Sequence, residues 1–357
     1  MDLITFLVLM LAGFASILGN EIFLAVAFLA AGLIMIIRGG DWFVDAASWI
    51  AERFGIPKFI VGATVVSIAT TLPEIIVSTM AAIDARAAEL AGDTQAAANY
   101  VDTAAGNAIG SVTANIGLIL GISLIFIPGV IRRRQLVPKT VLMLGAAAVL
   151  CLFSSLLPLV TPLPHAVGMI PSVLLAVIFV LYIVDNIRSA KGDDGAQEEP
   201  DKSAKTAVLN IGKFLLGTGG IVLGAKLLVD NGTVLAKAAG IPAGIIAVTI
   251  IAIGTSLPEL ITTITAIRKK EASLSVGNII GANTIDLTLI LPLCAAISGR
   301  ALPVSAQTWA LDLPACLAVG ALALLPAVFA GRFKRWQGVA LLSCYAVYLA
   351  VLIIFFI

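Results

Sequence analysis

Charged residues are scarce in this sequence. Of its 357 residues, 12% are charged and 60% are hydrophobic, whereas soluble domains carry about 25% charged residues. A water-soluble fold cannot bury this much apolar surface, so the composition excludes a soluble protein. The apolar segments also lack the short alternating pattern of an outer-membrane barrel. The sequence therefore predicts a helical membrane protein.

Histidine and cysteine are equally rare. The single histidine, His165, is expected in a solvated loop, and the four cysteines lie singly inside apolar segments. Without Cys or His at metal-ligand spacing, the sequence offers neither a disulfide framework nor a structural zinc site. A motif for nucleotide hydrolysis is also missing, so we expect neither enzyme activity nor a cofactor.

Eleven apolar segments are long enough to cross a bilayer as helices, since a crossing takes about 20 residues. The first segment is short, but Asp2 stands where a signal peptide would carry basic residues, so we predict a helix there. The eleven predicted spans are 3–18, 22–50, 58–83, 105–128, 138–160, 166–187, 208–236, 243–267, 274–298, 308–330 and 338–356.

Basic residues are distributed unevenly between the loops. When alternate loops are assigned to opposite sides, sixteen lysines and arginines fall on one side, and only Arg86, Lys237 and Arg300 on the other. Cytoplasmic loops are enriched in lysine and arginine, so the first side is predicted to face the cytoplasm. With eleven spans, this predicts a plasma-membrane (inner-membrane) protein with a cytoplasmic N-terminus and an external C-terminus.

The sequence contains an internal duplication. Residues 55–82 align with 240–267 at an offset of 185, and twelve of the 28 positions are identical. A second motif, GNAIGS at 106–111, aligns with GNIIGA at 277–282 at an offset of 171. The fourteen additional residues of the first half fall within 84–103, which is expected to form a polar external loop or a short surface helix.

The two copies are predicted to be inserted in opposite directions, because the start of the first copy and the end of the second both carry cytoplasmic basic residues. Inverted repeats with interrupted helices are the architecture of secondary transporters. We therefore predict an all-α polytopic membrane fold of two inverted five-helix repeats. Its parts are an extra N-terminal transmembrane helix at 1–20, a first half at 21–187, a cytoplasmic linker at 188–206 and a second half at 207–357.

Each copy carries a proline and a glutamate in the middle of a span. Pro73 and Pro258 interrupt the backbone hydrogen bonding of their helices, and Glu74 and Glu259 follow directly. A carboxylate inside a membrane span usually lines an ion pathway, and carbonyls freed by proline also bind cations. Two carboxylates match the charge of one divalent ion, and oxygen ligands suit Ca²⁺ or Na⁺.

Other polar residues accompany the two glutamates. Proline kinks and polar residues often serve helix packing alone, but two symmetric acids beside two symmetric breaks favour ion binding. Asn107 and Asn278 are expected to hold a neighbouring backbone rather than an ion. The additional candidates are Thr70, Thr71, Thr255, Ser256, Ser111, Asn115 and Asp286, the last a third acid predicted to reach the same cavity.

The sequence at the second break, GTSLPE at 254–259, resembles the repeat signature of the sodium/calcium exchangers, a family of the calcium/cation antiporter superfamily. ATTLPE at 69–74 is a near copy of that signature. GGDWFV at 39–44 and RWQG at 335–338 extend the resemblance over residues 21–357. The resemblance implies a ten-helix core with four ion sites between the repeats.

The resemblance also implies a set of ligands. Calcium would be held by Glu74 and Glu259, together with the carbonyls of Thr70 and Thr255. Sodium would be held by the carbonyls of Ser67 and Ala252 and the side chains of Thr71, Ser256 and Ser111, with Asn115 and Asp286 at a central position. The sequence departs from the family at Ala282, where a serine is usual, so one sodium-site hydroxyl is missing.

The expected function is secondary active export of Ca²⁺ in exchange for Na⁺ by alternating access. Exchange against H⁺ and K⁺-dependent exchange stay open as alternatives, because Ala282 weakens a sodium site and Asp286 suits a proton or potassium. A passive channel is disfavoured, since inverted interrupted helices serve to close a path on alternate sides. The expected partners are Ca²⁺, Na⁺ and the lipid bilayer, without nucleic acid, and the protein is expected to be a monomer.

Overall fold

The computed structural model describes residues 21–129, 131–161, 164–190, 203–239, 254 and 256–356. Nearly all of this part of the chain is helical. Two short strands, β1 (Ala166–Val167) and β2 (Leu302–Pro303), pair antiparallel and join two loops at one end of the molecule. The predicted all-α polytopic fold is confirmed.

Eleven helices follow one another along the described residues. Five of them contain a π-helical stretch, namely the helices at 58–70, 94–126, 133–159, 272–298 and 308–330. The helices are α1 (Glu21–Phe54), α2 (Lys58–Thr70), α3 (Leu72–Leu90), α4 (Thr94–Phe126), α5 (Arg133–Leu159), α6 (Met169–Ala190), α7 (Ala204–Ala238), α8 (Leu257–Arg268), α9 (Ala272–Ser298), α10 (Thr308–Ala330) and α11 (Arg335–Phe356).

Nine of the eleven predicted spans are found in the described residues. Eight are single helices long and apolar enough to cross a membrane, and the ninth is the bent pair α2 and α3. The predicted extra helix at 1–20 lies outside the described residues. Of the predicted span 243–267, the structure describes Gly254 and the residues from Ser256 onward, which form α8.

Helices α1 and α7 pack antiparallel through two reciprocal glycine contacts. Gly32 lies against Gly224, and Gly39 lies against Gly217, so close that a methyl group at any of the four would meet the backbone of the other helix at 2.7 to 2.8 Å. Gly32 and Gly39 correspond to Gly217 and Gly224 at the repeat offset of 185. Each contact is therefore the symmetry copy of the other, as a two-fold relation between the halves requires.

Helices α4 and α9 lie at the centre of the molecule. In each of them, 72% of the most apolar 18-residue stretch is buried, compared with 11% in α11 and 22% in α6 and α7. These two helices carry the glycine motifs at 106–111 and 277–282. Glycine lets helices approach closely, and Gly277 and Gly281 of α9 lie against the backbone of α2 at Phe59 and Ala63.

The loops lie at two ends of the helix bundle. This agrees with the prediction that successive loops alternate between the two sides of the membrane. At one end, Lys58 Nζ lies 2.6 Å from Glu271 Oε1, and Phe333 N donates to Gly129 O at 3.0 Å. At the other end, Arg300 Nη1 lies 3.0 Å from Glu89 Oε1, beside the β1–β2 pair. The connections before α2, α5, α9 and α11 therefore share one side of the molecule.

The polar segment 84–103 differs from its prediction as a loop or a separate surface helix. Helix α3 continues through it to Leu90, and α4 begins at Thr94 after a short turn. Asp93 caps α4, because its carboxylate accepts a hydrogen bond from Ala96 N at 2.9 Å. The fourteen additional residues of the first half thus lengthen two helices.

His165 also differs from its prediction as a solvated loop residue. Its ring is half-buried and stacks on Trp309 with ring centroids 4.1 Å apart. Its Nδ1 lies 2.9 Å from Ser154 O. His165 therefore helps to join the loop before α6 to the start of α10.

Candidate cation-binding site

The first interrupted helix bends at Thr71. Helices α2 and α3 meet there at an angle of 46°, and Pro73 occupies the first turn of α3, where its missing N–H costs little. Glu74 lies in the same turn and is fully buried. The N-terminus of a helix carries partial positive charge, so this position favours a carboxylate.

The half-helix that follows the second predicted break begins in the same way. Ser256 precedes α8, Pro258 occupies its first turn, and Glu259 lies in that turn with 0% of its surface exposed. The structure thus places both predicted glutamates at the buried N-termini of half-helices that belong to opposite halves of the chain.

Helices α4 and α9 each change to π-helical geometry in the middle of the bundle. The π-helical stretches begin at Asn115 in α4 and at Asp286 in α9, two positions related by the offset of 171. Such stretches are rare in α-helices and are frequent at functional sites. Both side chains are fully buried, as predicted for residues that face a common cavity.

Hydrogen bonds connect the predicted site residues of the two halves. Ser111 Oγ lies 3.3 Å from Ser256 Oγ, and Thr71 Oγ1 donates to Glu259 Oε1 at 3.4 Å. Asn115 Nδ2 lies within hydrogen-bonding distance of Ser111 Oγ at 3.2 Å. These bonds form two groups, Ser111 with Ser256 and Asn115, and Thr71 with Glu259. The two groups meet at the start of α8, where Ser256 precedes the helix and Glu259 lies in its first turn.

The three buried carboxylates, of Glu74, Glu259 and Asp286, have few partners. Both carboxylate oxygens of Glu74, both of Asp286 and one of Glu259 are buried without a hydrogen-bond partner among the described residues. Burying an acceptor without a partner costs about 1–3 kcal/mol, and more if it is charged. Native proteins rarely leave such atoms unpaired, and an absent ion is one of the usual reasons.

The electrostatics of these carboxylates also favour a cation. Glu74 interacts with both Glu259 and Asp286 by charge repulsion. None of the ion pairs in the described part of the chain involves these three acids. A bound cation removes the mutual repulsion of buried carboxylates.

Side-chain carboxylates alone do not form a complete metal site. Among the described residues, no three His, Cys, Asp or Glu side chains are close enough together to hold a metal ion. A cation here would therefore also need hydroxyl, amide and backbone carbonyl oxygens. That mixture of ligands is typical of Ca²⁺ and Na⁺ rather than of zinc.

Four predicted ligands are backbone carbonyls near the breaks. Ser67 O accepts hydrogen bonds from Thr71 N at 2.9 Å and from Thr70 Oγ1 at 3.4 Å, so both of its lone pairs have partners in this structure. Thr70 is buried, and its hydroxyl donates to Asn278 Oδ1 at 3.1 Å. Thr255 and Ala252 lie outside the described residues, so their roles as ligands remain predictions.

The two glycine-motif asparagines behave differently from one another. Asn107 Nδ2 donates to Ser78 Oγ at 3.0 Å and lies 3.5 Å from Glu74 O, which agrees with its predicted contact to a neighbouring backbone. Asn278 instead accepts from the side chain of Thr70. It thereby fixes the hydroxyl of a predicted site residue.

Asn283 bonds to a predicted site residue although the sequence analysis did not select it. Its Oδ1 accepts from Asn115 Nδ2 at 3.1 Å, and its own Nδ2 is buried without a partner among the described residues. The repeat gave no signal for Asn283, because its counterpart at the offset of 171 is Val112. An amide in the middle of an apolar span was the available signal.

Two inverted halves, two interrupted helices with buried carboxylates and a central pair of π-helical stretches define a secondary cation transporter. The family model described as "Sodium/calcium exchanger protein" matches residues 24–187 and 209–354. The chain therefore belongs to the sodium/calcium exchanger family.

Individual relatives agree with this assignment. The chain is 36% identical over 284 residues to the inner membrane protein YrbG of Escherichia coli, covering 77% of this chain and 80% of that protein. It is 28% identical over 354 residues to the sodium/calcium exchanger MaX1 of Methanosarcina acetivorans, covering 90% and 96%. A solved structure of the sodium-calcium exchanger NCX_Mj superposes with a TM-score of 0.74 at 27% identity, covering 92% of this chain and 99% of that one.

Proposed function

We infer that this protein is a secondary active Na⁺/Ca²⁺ antiporter. The observation that carries the inference is the pair of buried, sparsely partnered carboxylates at the N-termini of two half-helices from inverted halves. Membership of the sodium/calcium exchanger family supports Na⁺ as the counter-ion. Neither proton exchange nor potassium-dependent exchange has comparable support.

The proposed calcium site lies between the two glutamates. Glu74 and Glu259 supply two negative charges, which balance one Ca²⁺, and the carbonyls of Thr70 and Thr255 complete its ligands. The low number of partners on the carboxylate oxygens supports this assignment, since both oxygens of Glu74 and Oε2 of Glu259 have no hydrogen-bond partner among the described residues. No resident cofactor is part of the proposal, because Ca²⁺ and Na⁺ are the transported substrates.

The proposed sodium sites share the same carboxylates. Their further ligands are the carbonyls of Ser67 and Ala252 and the hydroxyls of Thr71, Ser256 and Ser111. Asn115 and Asp286 occupy the central position between α4 and α9. Because Ca²⁺ and Na⁺ would use the same two glutamates, only one kind of ion can occupy the site at a time, which is the condition for exchange rather than cotransport.

The physiological direction is proposed to be Ca²⁺ export across the plasma membrane. An inward Na⁺ gradient drives export when the ions compete for a site that opens to one side at a time. The basic loops before α2, α5, α9 and α11 support a cytoplasmic location for that end of the bundle. The proposal treats the protein as a monomer, since the site is built from one chain.

Transport of ⁴⁵Ca²⁺ into proteoliposomes tests this function. Vesicles are loaded with Na⁺, K⁺ or protons in turn, and uptake is followed after dilution into medium lacking that ion. Uptake is expected only with the outward Na⁺ gradient. Uptake driven by protons and indifferent to Na⁺ would overturn the assignment, and uptake without any counter-gradient would indicate a channel.

A further inference from the structure

Two departures from the internal repeat concern serine hydroxyls near the ion site. Ser111 of the first half corresponds to Ala282 at the offset of 171, so the second half lacks a hydroxyl there. Ser67 of the first half corresponds to Ala252 at the offset of 185, so the first half has an additional one. One hydroxyl has been lost from α9, and another is present on α2.

Ser67 lies at the interface between α2 and α9, and Ala282 follows directly on a residue of that interface. Helix α2 runs parallel to α9, with Phe59 against Gly277 and Ala63 against Gly281. Ser67 continues this contact, because a Cβ atom built on Gly281 would lie 2.6 Å from Ser67 Oγ. Ala282 is the next residue along α9, and both Ser67 and Ala282 are fully buried.

The hydroxyl of Ser67 is available as a ligand. It donates its proton to Thr64 O at 3.0 Å, one turn back along α2. Within the described part of the chain, no donor is directed at Ser67 Oγ. A hydroxyl oxygen has two acceptor lone pairs, so an oxygen in this state can coordinate a cation.

Ser111, the counterpart of Ala282 in the first half, shows which partner a hydroxyl at this position has. There Ser111 Oγ and Ser256 Oγ form a pair 3.3 Å apart. The repeat relates Ser111 to Ala282 and Ser256 to Thr71. On the α2–α9 side, Thr71 Oγ1 lies 3.4 Å from Glu259 Oε1, and Thr71 N is bonded to Ser67 O, which places Ser67 one turn below it.

We propose that the Ser67 hydroxyl is a Na⁺ ligand that replaces the hydroxyl missing at Ala282. Each of the two pseudo-symmetric positions then has two hydroxyls, from Ser111 and Ser256 on one side and from Ser67 and Thr71 on the other. The loss at Ala282 therefore does not remove a sodium site. The proposal rests on the proposed Na⁺/Ca²⁺ exchange and specifies one of its sites.

Three variants test the role of Ser67 in Na⁺-driven ⁴⁵Ca²⁺ transport by proteoliposomes. Ser67→Ala is expected to raise the half-saturating Na⁺ concentration roughly tenfold, as for the loss of one polar contact to a charge. The half-saturating Ca²⁺ concentration is expected to stay the same. The double variant Ser67→Ala/Ala282→Ser returns the hydroxyl to α9 and is expected to restore the Na⁺ dependence.

Ser123→Ala serves as the matched control. Ser123 is as deeply buried as Ser67, but its hydroxyl pairs with Ser275 at 3.2 Å and lies in the part of α4 beyond the π-helical stretch. Its Na⁺ dependence is expected to match that of the wild type. Thermal unfolding of each purified variant with Ca²⁺ shows that the fold and the calcium site are intact.

The outcomes separate the two proposals. If the wild type shows Na⁺-driven exchange but Ser67→Ala keeps the wild-type Na⁺ dependence, the role of Ser67 is refuted. A folded double variant that fails to recover would equally refute replacement of the Ala282 hydroxyl. If the wild type itself ignores Na⁺, the proposed function fails instead. Should Ser67→Ala not fold, Ser67→Cys replaces the hydroxyl oxygen by a weakly coordinating sulfur of similar size. This variant is expected to raise the half-saturating Na⁺ concentration, and a wild-type value would overturn the proposal.

Discussion

Glu74 and Glu259 are acidic residues that are fully buried within the membrane-spanning part of the protein. A charged side chain at the centre of a span costs about 2.5–3.5 kcal/mol on insertion scales, so its presence there requires a function. In this structure, Glu74 has no hydrogen-bond partner on either carboxylate oxygen among the described residues. The helix N-terminus behind it offsets part of the cost, and in the proposed site a bound cation would offset the rest.

Replacing either glutamate by glutamine is expected to abolish Ca²⁺ transport. Glu74→Gln and Glu259→Gln keep the shape of the side chain but remove one of the two charges that balance Ca²⁺. Because the unpaired carboxylate also costs folding free energy, the variants are expected to unfold at the same temperature as the ion-free wild type or higher. Transport at the wild-type rate in either folded variant would mean that the ion site has been misplaced.

Lys139 is a buried basic residue whose partner lies on the next helix. Its Nζ lies 2.6 Å from Asp185 Oδ2, and 5.9 Å from the centre of the Phe59 ring. The lysine side chain is fully buried, whereas Asp185 is 23% exposed. The pair joins α5 to α6, and the lysine also contacts α2.

Lys139→Met is expected to destabilise the fold by about 1–3 kcal/mol, because it leaves Asp185 without its partner. The range is lower than for a fully buried pair, since water can reach part of Asp185. The double variant Lys139→Met/Asp185→Asn removes both charges and is expected to recover most of the loss. Thermal unfolding in detergent measures both effects, and equal melting temperatures for wild type and Lys139→Met would contradict this account.

At the scale of helices, the contact between α1 and α7 depends on glycine. The two reciprocal contacts at Gly32–Gly224 and Gly39–Gly217 bring backbone against backbone. This close approach adds to the packing of buried apolar side chains from both helices, among them Phe43 and Ile221. The repeat identified Gly39 and Gly224 as equivalent, but the sequence did not show that each contacts a different glycine of the opposite helix.

Gly217→Ala is expected to weaken this contact, because the added methyl group would lie 2.8 Å from Gly39 O and from Phe43 N. These are backbone atoms, so the helices must separate. Gly219→Ala on the same helix is the matched control, since a Cβ atom there meets nothing within 4 Å. It is expected to leave the melting temperature unchanged or to raise it slightly, because alanine favours helix over glycine. Equal melting temperatures for the two variants would refute the contact.

The segment 84–103 extends two helices, although the sequence predicted a loop or a short surface helix there. Its polarity and its absence from the second half suggested a loop or a separate helix. Alanine is frequent in it, and alanine has the highest helix propensity. Together with the cap at Asp93, this extends the flanking helices beyond the apolar spans. Hydropathy locates the membrane-crossing part of a helix but not its end.

At the scale of the whole molecule, the duplication was the most informative feature of the sequence. It predicted two inverted halves and a site for Glu74, Glu259, Asn115 and Asp286 where the halves meet, because inverted-repeat transporters bind their ions at that interface. It could not predict the partners within that region. Asn283 and the contact of Ser67 with Gly281 depend on how α2, α4 and α9 pack, and the repeat breaks its symmetry at both positions.

The orientation of the protein in the membrane is open to a direct test. Gln95 and Lys334 are exposed at opposite ends of the bundle. In intact cells, Gln95→Cys is expected to react with a membrane-impermeant maleimide, and Lys334→Cys only after permeabilisation. The parent protein with its four native cysteines provides the background. The reverse pattern would place the basic loops outside and would contradict the predicted topology.

The central claim is that Ca²⁺ and Na⁺ compete for one site built on Glu74 and Glu259. The most direct measurement is equilibrium binding of ⁴⁵Ca²⁺ to the purified protein in detergent at increasing Na⁺ concentration. We predict complete displacement of Ca²⁺, with a steepness greater than one Na⁺ per Ca²⁺, since the proposal has several sodium ions sharing the two carboxylates. Bound Ca²⁺ that persists at saturating Na⁺ would show separate sites and would contradict the account.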